Sequence, residues 1–251
     1  MKVERASVPA QDAVQHFTAR APIYNRSSRW CTDEALMSHV IAHAQPAPHH
    51  TMLDVACGTG LVAKAFRGRV GEIVGLDPTA AMADQASPWL DRFVTSYAEH
   101  MPFEPAQFDL VTCRQGIQFM DASKAAAEMA RMLRPGGRIV LINLCAYGPA
   151  DRDEYFEVLR LRNPARRNFF LPQDLGALLA PVCSEVSLHE FCIDEDIDAW
   201  ADNGAIGPDN CRRIRDLYHN ASPEFQRSHN IRIDGERILD RMLFVIAVGV
   251  R

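Results

Sequence analysis

Short apolar runs alternate with helix-like segments through the first 145 residues of the chain. Residues 51–55, 72–76 and 108–113 each form such a run, and residues 61–66 between the first two have helical character. The connections between these segments are short. The alternation therefore predicts a parallel, doubly wound α/β sheet that is covered by helices on both faces.

The segments on either side of this core follow different patterns. Residues 13–20 have helical spacing behind a loose tail at 1–10, and residues 32–34 form a capping signal for a helix to about residue 43. After residue 145 we expect two helices, a strand, a polar helical stretch and a last strand, at 151–161, 172–179, 185–192, 194–225 and 241–249. We predict one domain, 1–251, made of a helical part at 1–48, a core at 49–145 and a C-terminal part at 146–251 with a helical cap at about 194–230.

A glycine turn links the first apolar run to the helix that follows it. Gly58 and Gly60 lack a Cβ atom, so the backbone can turn sharply and a ligand can approach closely. Free N–H groups at the helix start favour an anionic group. Asp54 and Asp77 end the two apolar runs around the turn, and a carboxylate at the second position can accept hydrogen bonds from ribose hydroxyls. The layout predicts a site for an adenosine-containing cofactor.

Residues 58–63 also fit the dinucleotide pattern G-x-G-x-x-G/A, so the glycines alone do not identify the cofactor. Asp54 favours one choice, because its carboxylate would repel a pyrophosphate but attract the α-ammonium group of S-adenosylmethionine. The helix start would then suit the carboxylate of that cofactor, and Asp77 its ribose. We predict S-adenosylmethionine as cofactor and S-adenosylhomocysteine as product, with NAD as the alternative.

The same stretch resembles the first motif of class I S-adenosylmethionine-dependent methyltransferases, D-x-G-x-G-x-G, with Ala56 in place of the first glycine. An alanine there costs little if its φ is negative. Residues 97–103 resemble the family's D-A-E-x-L-P-F loop, 108–113 its fourth strand and 132–141 the segment leading into the fifth. The resemblance covers about residues 12–145 and is strongest toward the quinone-biosynthesis-like, small-molecule branch. It implies a Rossmann-like mixed sheet with an antiparallel last strand.

The resemblance also assigns cofactor contacts. Met82 matches a methionine that packs on the adenine, and Tyr97 replaces an acidic residue that commonly bonds its amino group, so backbone at Ala98 and Glu99 is expected there instead. Tyr24 matches the tyrosine of an N-terminal helical lid. The predicted cofactor-binding residues are Tyr24, Asp54, Ala56, Gly58, Thr59, Gly60, Asp77, Met82, Tyr97, Ala98, Glu99, Arg114 and Gln115.

The acceptor is expected at the C-terminal strand ends, where open α/β sheets bind ligands. Gln118 follows the fourth strand and Asn143 the fifth, and both are predicted to contact substrate. Methyl transfer is a displacement that mainly needs alignment and exclusion of water, so it requires no particular catalytic residue. His16 and His189 are the candidates if the acceptor must lose a proton. Because a lone histidine is more often structural or exposed, the catalytic residue stays unassigned.

Three clusters have ordinary explanations. Four arginines surround residues 163–164, and we interpret them as a solvated helix end rather than an anion site: Arg160, Arg162, Arg166 and Arg167. Acidic residues at 194–198 suit a helix start, whose dipole they stabilise. Cys113 and Cys145 follow strands but lack the spacing of a metal motif, so we predict no metal.

Composition narrows the function classes. The 251 residues carry a net charge of −5, which gives no electrostatic support for nucleic-acid binding. No apolar run approaches the length of about 20 residues that a membrane-spanning helix needs. The N-terminus lacks the apolar stretch of a secretory signal, and seven cysteines without a C-x-x-C pair indicate a reducing cytoplasm.

We therefore predict a cytoplasmic methyltransferase of small-molecule biosynthesis, acting on an oxygen or carbon of an aromatic or quinone-like acceptor. One alternative is an NAD-dependent oxidoreductase. A nucleic-acid methyltransferase is opposed by residues 113–116, where amino-directed members carry an Asp/Asn-Pro-Pro-aromatic motif. A cofactor-binding protein of the same fold without methyl transfer is the alternative from another class. The sequence does not determine the oligomeric state.

Overall fold

The structure is a computed structural model that describes residues 8–26 and 28–251, with side chains from residue 13 onward. Its strands are β1 (Thr51–Val55), β2 (Glu72–Leu76), β3 (Arg92–Val94), β4 (Phe108–Arg114), β5 (Leu133–Cys145), β6 (Glu185–Asp196), β7 (Arg232–Asp234) and β8 (Arg237–Val250). Its α-helices are α1 (Val8–Arg20), α2 (Glu34–Ala44), α3 (Leu61–Phe66), α4 (Ala83–Ala86), α5 (Ala122–Met132), α6 (Arg152–Arg162), α7 (Pro172–Leu179), α8 (Ile197–Ala201), α9 (Pro208–His219) and α10 (Pro223–Ser228). Among these residues, no helix is both long and apolar enough to cross a membrane.

The strands form one mixed sheet in the order β3-β2-β1-β4-β5-β8-β6, with β7 paired to β8. β1 pairs in parallel with β2 and β4, so their C-terminal ends meet at one edge. Successive side chains of β1 pack on opposite faces: Met52 belongs to one buried cluster, and Leu53 and Val55 belong to another. The sheet is thus covered on both faces, which confirms the predicted doubly wound α/β fold.

The C-terminal end of the sheet is antiparallel. β8 pairs antiparallel with β5 on one side and β6 on the other, which confirms the predicted orientation of the last strand. Helices α8, α9 and α10 lie in the chain between β6 and β8, where the sequence predicts a helical insertion. The predicted helix caps also form: the Asp33 side chain accepts the Leu36 N–H at the start of α2.

Two predicted boundaries are wrong. The first helix begins at Val8, so residues 8–10 are helical rather than part of a tail; residues 1–7 lie outside the described residues. β6 continues through Asp196, so Asp194 and Glu195 belong to a strand rather than to a helix start, whereas Asp196 caps α8 and Asp198 lies in its first turn, as predicted. The reason is a set of cross-strand ion pairs, including Arg232–Asp194 at 2.5 Å and Arg237–Asp196 at 2.8 Å.

Candidate active site

A pocket opens at the C-terminal edge of β1, β2 and β4, with an empty volume of about 710 Å³ that includes the space at its mouth. Apolar side chains form much of its wall, among them Leu76, Phe119 and Met120. Most of the predicted cofactor-binding residues line it: Tyr24, Ala56, Gly58, Asp77, Met82, Tyr97, Ala98, Glu99, Arg114 and Gln115. We call it the cofactor pocket.

Asp77 connects the end of β2 to the glycine turn. Its Oδ2 accepts the N–H of Gly58 at 2.9 Å, and its Oδ1 accepts the N–H of Thr79 at 2.8 Å. Burial raises the pKa of this carboxyl group, against the effect of both backbone donors. A carboxylate offers about four acceptor positions, so two remain for the two hydroxyls of a ribose.

Asp54 lies beneath the turn and is 1% exposed. Its Oδ1 accepts the Thr112 hydroxyl at 2.8 Å, whereas its Oδ2 is buried without a partner among the described residues. Burial raises the pKa of Asp54 to about 7, although the Thr112 hydrogen bond, the Arg114 charge and the Ala63 backbone N–H oppose that shift. Asp54, Thr59 and Gly60 do not line the cofactor pocket themselves. An unpartnered carboxylate oxygen at this depth would be stabilised by a cationic ligand group.

The glycine turn is tighter than its sequence indicates. Gly58 has φ +51° and Gly60 has φ +78°, and a Cβ on Gly60 would lie 3.0 Å from the Ala86 Cα. Ala56 has φ +54°, so the expected negative φ, at which an alanine would cost little conformational energy, is wrong. Gly116 leaves room for that alanine, because a Cβ at 116 would lie 2.5 Å from the Ala56 Cβ.

The N-terminal segment covers the cofactor pocket, at the place predicted for a lid. Val14, Phe17 and Tyr24 line the pocket. The Thr59 hydroxyl donates to Asn25 Oδ1 at 2.5 Å, so the glycine turn and this segment are directly bonded. Phe17 also packs edge-on against Phe119, with ring centroids 5.0 Å apart.

A second pocket, which we call the inner pocket, adjoins the cofactor pocket and has an empty volume of about 370 Å³. The two pockets share Phe17, Tyr24, Gln115 and Phe119. Gln118 lines the inner pocket, and its Nε2 donates to Gln115 Oε1 at 2.9 Å. Sequence patterns did not identify the remaining wall, which comprises Arg20, Trp30, Leu144, Leu159, Arg162, Asn163, Arg166 and Trp200. The sequence signal that could have pointed to this wall is tryptophan, since Trp30 and Trp200 are two of the chain's three.

The arginine cluster is divided by the fold, which corrects its interpretation as a solvated helix end. Arg160 and Arg167 are exposed, whereas Arg162 is 7% exposed and Arg166 is partly buried. Arg162 donates from Nε to the Trp200 carbonyl at 3.0 Å and lies over that indole ring, 4.3 Å from its centroid. Contact between Arg162, at the end of α6, and Trp200 of α8 therefore turns this arginine inward.

The other predicted residues lie away from the pockets. Asn143 is buried within β5 and lines neither pocket. His189 lies on β6, stacked on His43 at 3.5 Å, and also lines neither pocket. His16 lies on α1 outside both linings; burial and the charges of Arg20 and Arg162 lower its pKa to about 4.

Two cysteines, Cys113 and Cys145, lie buried on strands β4 and β5. Burial raises the pKa of Cys113 to about 12 and raises that of Cys145 further, so both stay protonated thiols. Within the described parts of the chain, no group of three His, Cys, Asp or Glu residues is placed to hold a metal ion.

The residues of the cofactor pocket fit S-adenosylmethionine. Asp77 has acceptor capacity for a ribose, and Met82 and Ala98 supply a flat apolar wall. Asp54 lies beneath the turn outside that lining, where its carboxylate charge would attract an ammonium group. A pyrophosphate would meet the buried Asp54 carboxyl group beneath the turn, which opposes NAD.

Comparisons with known proteins agree with this fit. The family model described as "Methyltransferase domain" matches residues 53–141. The uncharacterized methyltransferase YcgJ of Bacillus subtilis is 30% identical over 220 residues, which cover 83% of this chain and 86% of that protein. The demethylmenaquinone methyltransferase of Deinococcus radiodurans is 37% identical over 143 residues, 52% of this chain and 59% of that protein.

The folds are similar over the same range. The crystal structure of YcgJ superposes with a TM-score of 0.80 at 25% identity, covering 87% of this chain and 99% of that one. The match therefore extends well beyond the glycine turn, into the lid and the C-terminal strands. On these grounds the chain belongs to the class I S-adenosylmethionine-dependent methyltransferases.

Proposed function

We propose that this protein transfers a methyl group from S-adenosylmethionine to a small molecule bound in the inner pocket. The observation that carries the proposal is the continuity of the two pockets through Phe17, Tyr24, Gln115 and Phe119. A donor in one pocket and an acceptor in the other would meet at this shared wall. Proximity of this kind supplies much of the acceleration of a displacement reaction.

The side chains around the shared wall have distinct roles in the proposed reaction. When bound, S-adenosylmethionine supplies the methyl group on a sulfonium leaving group. Asp77 holds the ribose, and Asp54, which lies beneath the turn outside the pocket lining, attracts the ammonium group through the charge of its carboxylate. Phe17 and Tyr24 close the pocket from the lid side and exclude water.

The walls of the inner pocket favour an acceptor with a flat apolar body. Trp30, Trp200, Phe17 and Phe119 line it, and aromatic walls of this kind bind rings by offset or edge contacts. The relative from Deinococcus radiodurans is named a demethylmenaquinone methyltransferase, which supports an aromatic or quinone-like acceptor. We propose methylation at an oxygen or a carbon of such an acceptor.

We assign no catalytic base. His16 is one of the two histidines predicted as candidate bases. Its pKa is lowered to about 4, so it is a weak base at neutral pH, and it lines neither pocket. Gln118 presents an unpartnered Oε1 at the inner pocket and can accept a hydrogen bond from an acceptor hydroxyl. In this proposal alignment and exclusion of water carry the catalysis.

The setting of the enzyme is also a proposal. We propose a cytoplasmic enzyme of small-molecule biosynthesis, since all seven cysteines are free thiols. We also treat the whole chain as one catalytic unit, because Phe17 from the N-terminal part and Trp200 from the C-terminal part line the same pocket.

Calorimetric titration with S-adenosylmethionine, S-adenosylhomocysteine and NAD tests the cofactor. We expect both adenosyl compounds to bind and NAD not to bind. Asp77→Ala removes two charge-assisted acceptors, worth about 3–6 kcal/mol, so affinity should fall at least about 100-fold. Asp84→Ala, at an exposed carboxylate of α4, is the matched control and should bind normally.

An acceptor screen tests the transfer step. Formation of S-adenosylhomocysteine with any aromatic or quinone-like compound would exclude a cofactor-binding protein without methyl transfer. Binding of NAD in place of the adenosyl compounds would instead contradict the role given to Asp54.

A further inference from the structure

The inner pocket has an excess of positive charge. Three guanidinium groups line it, those of Arg20, Arg162 and Arg166, and no Asp or Glu is among its described lining residues. Arginine stays protonated at neutral pH, and buried charges in proteins are normally paired. Burial and repulsion from Arg20 lower the pKa of Arg162 to about 9, and burial lowers that of Arg166 to about 10, so both remain charged at a cost.

Among the described residues, no carboxylate acts on the charge of Arg166, whereas Glu195 acts on that of Arg162. Glu195 attracts Arg162 and offsets part of its charge, but it is not a lining residue, and its two oxygens accept the backbone N–H of Arg29 at 3.1 and 2.9 Å. Arg162 donates hydrogen bonds to the Trp200 carbonyl and the Ser28 hydroxyl. These neutral partners orient the guanidinium group without cancelling its charge.

Most of the unpartnered polar atoms in the wall of the inner pocket are hydrogen-bond donors. Several lining residues bury donor atoms that have no partner among the described residues: Arg166 Nε and Nη1, Asn163 Nδ2, Trp30 Nε1, Trp200 Nε1 and Gln115 Nε2. Only the Oε1 of Gln118 is a buried, unpartnered acceptor in the same lining. Unpaired buried donors are costly, so a pocket of this composition fits a ligand that is rich in acceptors.

Resting on the proposed function, we infer that the methyl acceptor carries an anionic group, a carboxylate or a phosphate, on an apolar body, and that Arg166 and Arg162 bind that group in the inner pocket. The anion would pair with Arg166, whose charge no carboxylate of the described residues offsets, and with Arg162, while the aromatic walls would hold the body. Arg166 is the specificity-determining residue, because its guanidinium lies over the Phe169 ring at 5.6 Å while its buried Nε and Nη1 have no hydrogen-bond partner in the described parts of the chain.

A competing occupant is the carboxylate of S-adenosylmethionine itself. Arg20 lines only the inner pocket, but its guanidinium lies 5.1 Å from the ring of Tyr24, so it adjoins the wall that the two pockets share. Arg166 lines the inner pocket but not the cofactor pocket, and its guanidinium lies over Phe169 rather than beside the shared wall. Substitution of Arg166 therefore separates an anion on the acceptor from the carboxylate of the cofactor.

The test uses benzoate, phenyl phosphate and neutral benzamide as probes of the full-length protein saturated with S-adenosylhomocysteine. Tryptophan fluorescence reports binding locally, since Trp30 and Trp200 line the pocket. We expect at least one anion to bind at least tenfold tighter than benzamide, and the better of the two identifies carboxylate or phosphate recognition. Equal binding of both anions and benzamide overturns the inference without any variant.

Arg166→Gln and Arg167→Gln form a matched pair of neighbouring arginines, one lining the pocket and one exposed. We expect Arg166→Gln to weaken anion binding at least tenfold, Arg166→Lys to restore part of it, and Arg167→Gln to leave it unchanged. Affinity for S-adenosylhomocysteine should stay constant in all three. If it falls together with anion binding in Arg166→Gln, the pocket holds the cofactor's carboxylate and the inference is wrong. Failure of the wild type to bind S-adenosylhomocysteine would instead refute the proposed function.

Discussion

Binding of S-adenosylmethionine should release a proton from Asp54, and this makes the affinity depend on pH. In the free protein burial raises the pKa of Asp54 to about 7, so the carboxyl group is about half protonated at neutral pH and almost fully protonated at about pH 5.5. Only the ionised form attracts an ammonium group. Acid therefore weakens binding by depopulating the competent form of the protein.

The size of the effect follows from that pKa. The competent fraction is about one half at pH 7 and about 3% at pH 5.5, so the dissociation constant should rise roughly 16-fold between them. The α-ammonium group of the cofactor remains protonated across this window, since its usual pKa is about 7.7–8.0. Asp54→Asn keeps an acceptor for Thr112 but loses the charge, which should cost about 1.5–3 kcal/mol of binding and remove this pH dependence.

Calorimetry in two buffers of different ionisation enthalpy measures both the affinity and the protons released. Adenosine is the matched control ligand, because it occupies the same site without an ammonium group. The raised pKa of Asp77 would affect adenosine as well, so the difference between the two ligands isolates Asp54. Equal pH dependence for both ligands, or an undiminished dependence in Asp54→Asn, would refute the assignment.

The remaining predictions concern the lid, the turn and a buried histidine. Tyr24→Ala should weaken binding of S-adenosylhomocysteine about tenfold and Tyr24→Phe much less, because the ring closes both pockets; equal affinity of wild type and Tyr24→Ala in calorimetry would contradict a lid. Gly116→Ala should destabilise the fold by about 1–3 kcal/mol through its clash with the Ala56 Cβ, and adding Ala56→Gly should recover part of that loss in urea unfolding. His229 is fully buried; burial lowers its pKa, but the carboxylates of Asp240 and Asp151 outweigh this and raise it to about 9. The wild type should therefore lose about 3 kcal/mol of unfolding free energy as pH rises from about 6.5 to 9, and His229→Gln should be less stable at neutral pH but flat across that window.

Local sequence determined most of the sheet and the cofactor end of the site. Apolar runs with short connections predicted β1, β2 and α3 to the residue, since a strand or a helix is encoded by the periodicity of its own side chains. The glycines and the two acidic strand ends predicted the position of the pocket that we propose for the adenosyl cofactor. These features depend on neighbours within a few residues of one another, which a linear pattern can show.

Backbone conformation at Ala56 and the end of β6 depended on distant partners. The Cβ of Ala56, in its positive-φ conformation, fits only because Gly116, sixty residues later, has no side chain at that place. β6 continues through an acidic run because arginines of β7 and β8 face it across the ladder. Neither partner is visible in the local pattern around the residue that it affects.

The arginine cluster shows the same division most clearly. Arg160, Arg162, Arg166 and Arg167 have the same chemistry and lie within eight residues, so the sequence by itself determined only that a helix end is rich in positive charge. Contacts with Ser28 and Trp200, over a hundred and about forty residues away, turn Arg162 inward. The tertiary structure alone decided which arginines are buried, because burial depends on packing between elements that are distant along the chain.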